Sequence, residues 1–207
     1  MKKRNKIILF IVIVLLVVGA SLFCYIKFVK KDDNVNKVTN IEEIDKFGYT
    51  LKSNATETYK KEYEILKTNL KSTNINEEEY VKSVAKLFII DLYTISNKIN
   101  KYDVGGTEFV YPDSLENYKV NVEDTLYKYV EDNTNQKRNQ QLPVVESINV
   151  ENIEETNYTI KAINASYKAY KIKLSWEYLT DLGYDKSAEV IVINDNNKLY
   201  VVEENIK

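Results

Sequence analysis

The pattern of apolar and polar residues divides the chain into three regions. Residues 7–26 form an uncharged apolar run, IILFIVIVLLVVGASLFCYI. Residues 54–130 place apolar residues at helical spacing, and residues 144–202 place them at every second position. Because helices repeat every 3.6 residues and strands every two, the order predicts one membrane-length helix, then several helices, then strands.

The apolar run has the length of a transmembrane helix. Twenty residues at about 1.5 Å each span roughly 30 Å, the thickness of a hydrocarbon core. Four basic residues precede the run and three follow it, and basic flanks favour the cytoplasmic side. We therefore expect a cytoplasmic stub (1–6), a transmembrane helix (7–26), a juxtamembrane linker (27–46) and an extracytoplasmic domain (47–207). This describes a single-pass protein of the cell membrane whose C-terminal domain is extracellular.

Removal of the run by cleavage after Val18-Gly19-Ala20 is the alternative. The apolar stretch continues for six residues beyond Ala20, longer than a usual signal core, so we expect a retained signal-anchor. Cys24, the single cysteine of the chain, lies inside this run and follows Phe23, which is too bulky for a lipoprotein signal.

Three helices are predicted after the linker, each with the spacing of a capping box. The paired residues are Asn54 with Glu57, Asn76 with Glu79, and Asp113 with Glu116. Ile75 and Tyr80 also have the spacing of a hydrophobic staple on the second helix. That helix carries the broadest apolar face, so we expect it to be the most buried. The first helix has a narrower stripe made of Tyr59, Tyr63, Leu66 and Leu70, and the third is expected to run on through Tyr129 and Val130.

Strands are predicted before, between and after these helices. One short segment covers 47–51, and another, 107–111, follows the glycine pair Gly105-Gly106. Alternation then marks 144–150, 158–162, 170–178, 188–193 and 199–202. Asp195-Asn196-Asn197 has the composition of a hairpin turn, so we expect antiparallel pairing.

The order α-α-β-α followed by about four antiparallel strands predicts an α+β domain, with three helices packed on a curved sheet. Over residues 50–207 this order resembles the NTF2-like superfamily, in which a long sheet wraps around helices as a cone. Because the resemblance is one of element order, it implies a fold and a possible pocket and identifies no motif.

A second resemblance is local. Phe88, Asp91, Tyr93, Asn97-Lys98, Asp103, Gly105-Gly106 and Phe109-Val110 look like a pattern found in membrane-anchored proteins of low-GC Gram-positive bacteria. This resemblance implies extracytoplasmic placement and carries no assigned activity. NTF2-like domains on membrane anchors also occur in VirB8-like components of conjugation machines, which implies an assembly role as an alternative.

Charge is distributed unevenly along the chain. Seven of its 29 basic residues and none of its 31 acidic residues lie in residues 1–31. The remainder therefore has a net charge of −9, which disfavours nucleic acid and anionic lipid headgroups as partners of the domain. Histidine is absent, which removes the commonest general base and metal ligand. We expect no cofactor, no metal site and no partner nucleic acid; the oligomeric state stays open.

Asp91 and Tyr93 are the candidates for catalytic chemistry. A carboxylate among apolar residues can have a raised pKa and act as a base, as the NTF2-like resemblance implies for isomerase-type enzymes, and a tyrosine can donate to an oxyanion. In the alternative interpretation, Asp91 pairs with Lys98 or Arg138, or bonds the backbone near the glycine turn.

The candidates for binding are the loop at Gly105 and Gly106 and an aromatic strip formed by Tyr170, Trp176 and Tyr178, with Tyr167 beside them. Such a strip suits glycan or peptide, while core packing is its alternative explanation. Ser83 and Lys86 match an S-x-x-K motif without its partner motifs, and Glu77-Glu78-Glu79 fits the first turn of a helix better than a metal site.

The sequence therefore favours a membrane-anchored extracytoplasmic binding or assembly module that contacts a protein or cell-envelope partner. The alternatives are an NTF2-like pocket enzyme with a carboxylate base and a VirB8-like secretion component.

The predicted topology has a direct test on intact cells. Protease added outside should remove an epitope placed after Lys207 and spare one placed before Met1, because only the C-terminal domain lies outside. Protection of the C-terminal epitope, or release of the mature chain into the medium, contradicts the topology.

Overall fold

The computed structural model describes Val18, Gly19, Ser21 and residues 38–206. The chain divides into one unit of residues 1–37 and another of residues 38–207. Among the described residues, none of the helices combines the length and apolarity needed to cross a bilayer. The predicted span 7–26 lies outside these residues except for Val18, Gly19 and Ser21, which are helical.

The second unit is an α+β domain, as predicted. Its strands are β1 (Asn40–Ile44), β2 (Tyr49–Lys52), β3 (Val145–Ile160), β4 (Ala165–Tyr178), β5 (Ser187–Asp195) and β6 (Lys198–Ile206). Its helices are α1 (Glu57–Lys71), α2 (Glu77–Tyr93) and α3 (Leu115–Asp124), and a 3₁₀ turn (Pro112–Ser114) leads into α3.

The main sheet is antiparallel and has the order β3-β4-β5-β6. The predicted strands 144–150 and 158–162 are one continuous strand, β3, which pairs with β4 along its whole length and contains two bulges. The predicted hairpin at Asp195-Asn196-Asn197 is confirmed. Asn196 and Asn197 have φ angles of 53° and 68°, the left-handed geometry of a tight two-residue hairpin turn.

Two short pairings depart from the prediction. Residues 40–44, placed in the juxtamembrane linker by the sequence, form β1 and pair with β2 in a separate two-stranded ribbon. The predicted strand 107–111 is instead a single parallel bridge between Val110 and Val201. Hydrogen bonds from the Tyr111 amide to the Val201 carbonyl and from the Val201 amide to the Phe109 carbonyl hold this bridge against β6.

Helix α1 begins later than its predicted cap. Thr56, rather than Asn54, caps it by accepting a hydrogen bond from the Tyr59 amide. The side chain of Asn54 instead donates to the carbonyl of Asn97, 3.1 Å away. The predicted stripe is confirmed, because Tyr59, Tyr63, Leu66 and Leu70 are the buried residues of the helix.

Helix α2 is the most buried helix of the domain, as predicted, with eleven buried side chains. Asn76 is its cap and accepts a hydrogen bond from the Glu79 amide at 3.1 Å. The predicted hydrophobic staple between Ile75 and Tyr80 is wrong, because Ile75 is 44% exposed while Tyr80 is buried. The helix contacts all four strands of the main sheet, so its apolar faces supply much of the domain core.

Helix α3 is shorter than predicted and has no side-chain cap at its N-terminus. Its expected box residue Glu116 pairs with Lys119 instead. The chain leaves the helix after Asp124, which exposes Tyr129 and buries Tyr127 completely. The Tyr127 hydroxyl donates to the Leu92 carbonyl at 2.7 Å and so ties the end of α3 to α2.

Gly105 lies directly against the backbone of α2. A Cβ atom at this position would be 2.0 Å from the carbonyl oxygen of Asp91, far inside van der Waals contact. Neither the helix nor the turn can move away independently, because the neighbouring Gly106 amide is bonded to the Asp91 side chain. Gly105 therefore sets the distance between the turn and α2.

The Gly105→Ala substitution should destabilise the domain by about 3 kcal/mol or more, because a backbone-to-backbone clash cannot be relieved by rotating a side chain. Urea unfolding of the full chain in detergent, followed by the fluorescence of its single tryptophan, measures this loss. Gly183→Ala is the matched control: Gly183 has φ of 78° in open space, so only the backbone cost of about 1 kcal/mol applies. Equal losses at the two positions would contradict the close-packing argument.

Candidate functional site

Asp91 lies on α2 at the centre of a buried polar contact. Its Oδ1 atom forms an ion pair with Lys98, and its Oδ2 atom accepts a hydrogen bond of 2.7 Å from the Gly106 amide. The ammonium group of Lys52 is 4.0 Å from Oδ2. Burial opposes ionisation of this carboxyl, but Lys98, Lys52 and the Gly106 amide together lower its pKa below the ordinary value.

These contacts match the pairing interpretation of Asp91. The partners are Lys98 and the glycine turn, whereas Arg138 donates to the backbone carbonyls of Ser96, Lys98 and Glu131. The hollow that Asp91 lines has a volume of only about 10 Å³. A carboxylate with both oxygens engaged, a lowered pKa and little space beside it serves to join segments of the domain.

Tyr93 lies on a different face of α2 from Asp91. Residues two apart in a helix are separated by about 200° around its axis, so they cannot converge on one ligand. The Tyr93 hydroxyl instead donates to Oε1 of Glu204, 2.7 Å away on β6. Its ring packs against Trp176, with centroids 4.7 Å apart. The structure therefore separates the two predicted catalytic candidates.

The Tyr93–Glu204 pair lines a cleft between α2, α3 and the end of β6. This cleft has a volume of about 410 Å³, within the usual range for small-molecule sites. Its apolar lining includes Phe88, Leu92, Val122, Leu126 and Val201, and its polar lining includes Ser114, Asn117, Tyr118, Asn121 and Thr125. We call this space the α2–α3–β6 cleft.

Glu204 is largely shielded from water. Burial raises the pKa of its carboxyl above the ordinary value; the hydrogen bond from Tyr93 acts in the opposite direction, and the negative charge of Asp185 adds to the rise. The pKa of Tyr93 is also raised, by burial and by the adjacent carboxylate. The cleft thus presents a carboxyl group whose charged form is poorly solvated.

The sequence did not predict Glu204 as a site residue, because strand alternation points it to the wrong face. Val201 pairs with Val192, and Glu203 pairs with Ile191, so Val202 is an extra residue in a β-bulge. The bulge shifts the register by one and places Glu204 opposite Val190, which faces the core. A bulge re-aims the side chains that follow it, and one strand's sequence does not reveal it.

The predicted binding residues are all buried. Gly105 and Gly106 pack against α2, so they do not form an exposed loop. Tyr170, Trp176 and Tyr178 have exposures of 6%, 1% and 7%. Their alternation on β4 directs them into the core beneath the helices, so no exposed aromatic strip exists at these three positions.

The remaining motifs are also engaged within the domain. Ser83 is 2% exposed, and Lys86 pairs with Glu62 at 3.1 Å. Glu77 pairs with Lys168 at 2.8 Å, while Glu78 and Glu79 pair with Lys82. In the part of the chain that is described, no group of three or more acidic, cysteine or histidine residues is placed to hold a metal ion.

No protein-family model, no curated protein and no solved structure matches this chain.

The raised pKa of Glu204 predicts a pH-dependent effect of Glu204→Gln on stability. A carboxyl whose pKa is higher in the folded chain binds its proton more tightly there than in the unfolded chain. Its contribution to the free energy of unfolding is therefore fully present below the unfolded pKa, near 4.5, and is lost as pH rises through the folded pKa. The glutamine retains an acceptor for Tyr93 and carries no charge. The variant should therefore match the wild type at pH 4 and exceed it by about 1 kcal/mol at pH 7.5.

Urea unfolding at the two pH values measures this difference, and groups that titrate equally in both proteins cancel. Glu154→Gln is the control, because Glu154 is exposed on β3 and its substitution removes a charge of the same sign. A Glu204→Gln variant that is less stable than the wild type at pH 7.5 would contradict the argument.

Proposed function

We propose that this protein is a single-pass membrane-anchored binding module whose extracytoplasmic domain takes its ligand in the α2–α3–β6 cleft. The observation that carries the proposal is the cleft itself, which is ligand-sized and combines an apolar wall with polar groups. This mixture is typical of small-molecule and side-chain recognition, where apolar area supplies affinity and a few polar groups fix orientation.

Membrane anchorage is supported by the sequence of residues 7–26 and by the asymmetry of charge around it. A tether confines the domain to the membrane surface, which raises its effective concentration toward any partner in the same envelope layer. The acidic domain is also kept away from anionic headgroups by its own charge. Both properties suit a domain that binds something other than the bilayer.

An NTF2-like fold for the domain is supported by its element order, in which three helices precede a long antiparallel sheet. Two features depart from the expected pattern. The β1–β2 ribbon precedes the first helix, and a single bridge at Val110 stands in place of the strand between the second and third helices. A cleft between helices and sheet lies where such a fold is expected to hold its pocket.

A binding function is favoured over an enzyme that uses Asp91 as its base. The Asp91 carboxylate is held in ion pairs and hydrogen bonds inside the domain. The second candidate function is an acid–base enzyme in which Glu204, instead of Asp91, supplies the reacting carboxyl group. Its support is the raised pKa of Glu204 and the hydrogen bond from Tyr93, a combination that suits a general acid.

Binding in the cleft is tested with a fragment library and ligand-observed NMR on the full chain in nanodiscs. Several fragments should bind the wild type, and Asn121→Trp should weaken them about tenfold or more, because Asn121 lines the cleft and a larger side chain fills it. Val120→Trp is the matched control: Val120 is on the same helix, 57% exposed and outside the cleft lining. The proposal fails if no fragment distinguishes Asn121→Trp from Val120→Trp.

A further inference from the structure

The partly buried carboxylates of this domain differ in how their charge is compensated. Asp91 has Lys98 and Lys52 as neighbours, and Glu62 is paired with Lys86 at 3.1 Å. Glu108 accepts hydrogen bonds from the Thr50 amide, the Thr50 hydroxyl and the Tyr59 hydroxyl. The charge of Glu204 has far less compensation. Within residues 38–206, Tyr93 is its single hydrogen-bond donor, and no lysine or arginine is within ion-pair distance.

We propose that the α2–α3–β6 cleft binds its ligand through a cationic nitrogen, an ammonium or guanidinium group on an apolar stem, which pairs with Glu204. This inference rests on the proposed function and adds the chemical class of the ligand. The ligand would supply the counter-charge that the described part of the chain does not.

The charge of the cleft supports a cation over an anion or a zwitterion. Among the described residues, its lining contains Glu203 and Glu204 and neither lysine nor arginine. Asp185 adds further negative charge near Glu204. An anionic group in the cleft would be repelled by these carboxylates, whereas an ammonium group would be attracted to all of them.

One carboxyl oxygen of Glu204 is available for such a pair. Tyr93 donates to Oε1, and Oε2 accepts no hydrogen bond from any of residues 38–206. The hydrogen bond from Tyr93 also holds the carboxyl in one orientation, since the Tyr93 ring is packed against Trp176. A fixed carboxylate loses little freedom when a cation binds, which favours affinity.

The apolar part of the cleft accounts for the stem of the ligand. Phe88 and Tyr118 line the cleft, and their rings lie 5.9 Å apart. Aromatic faces pack against alkyl groups, and Leu92 and Leu126 extend the apolar wall. A polyamine with charges along its whole length would place cations against this wall, so a single cationic end fits better.

The ligand class is tested by calorimetry on the full chain in phosphatidylcholine nanodiscs, whose surface carries no net charge to attract amines, with the heat of binding to empty nanodiscs subtracted. Hexylamine is the probe, and hexanol is its neutral counterpart. Hexylamine should bind about tenfold or more tightly than hexanol, because an ion pair in a shielded site contributes strongly to affinity. Glu204→Gln should remove that preference, and Glu154→Gln, which removes an exposed charge of the same sign, should retain it.

Nα-acetyl-lysine methylamide identifies the source of the cation. Binding of this compound together with hexylamine supports a lysine side chain of a partner protein, and binding of hexylamine alone supports a free amine. Hexanol that binds as tightly as hexylamine, or equal effects of Glu204→Gln and Glu154→Gln, overturns the inference. In that case binding that is still lost in Asn121→Trp leaves the cleft proposal intact, whereas no cleft-dependent binding of any probe removes both.

Discussion

The carboxylate of Asp91 is the interaction on which the arrangement of the domain depends. It joins α2 to Lys98 in the segment after the helix and to the amide of Gly106 in the following turn. Gly105 permits this contact because any side chain there would collide with the helix backbone. The turn held in this way leads into Val110, which bridges to β6 beside the cleft. Removing two charges from water can cost more than their attraction returns, so what the Asp91 contacts show is a tie between α2 and the turn rather than a gain in net stability.

The same chemistry has opposite consequences at Asp91 and Glu204. Both carboxyls are partly removed from water, and this burial by itself acts to raise the pKa of each. At Asp91 two lysines and a backbone amide outweigh that effect, and the pKa falls. At Glu204 the tyrosine hydroxyl is insufficient, and the pKa stays raised. Internal compensation makes Asp91 a structural tie, whereas Glu204, which lacks a counter-charge among the described residues, is the candidate for an external partner.

The walls of the cleft differ in how firmly they are held. Helix α2 buries eleven side chains and contacts every strand of the main sheet. Helix α3 buries a single one, Val122, although Tyr127 fastens the chain just beyond it. Elements with few buried contacts open at lower free energy than the core. Helix α2 is therefore the more firmly held wall of the cleft, and α3 is expected to open at lower free energy.

Local pattern was sufficient for features that depend on neighbouring residues in the chain. The stripes of α1 and α2, the Asn76 cap, the α+β class and the hairpin at Asn196-Asn197 all follow from spacing and turn chemistry, which act over a few residues. The sequence predicts the pairing of Asp91 with a lysine or the glycine turn as one of several alternatives, and the tertiary contacts decide among them.

The tertiary structure decided the features that depend on a partner strand or helix. The continuity of β3, the pairing of β1, the reduction of 107–111 to one bridge and the burial of Tyr170, Trp176 and Tyr178 arise from contacts between distant segments. Glu204 is the clearest case, because a bulge opposite β5 moves it from the outer face to the cleft. The periodicity of one strand determines which residues share a face, whereas its pairing with a neighbour determines where that face points.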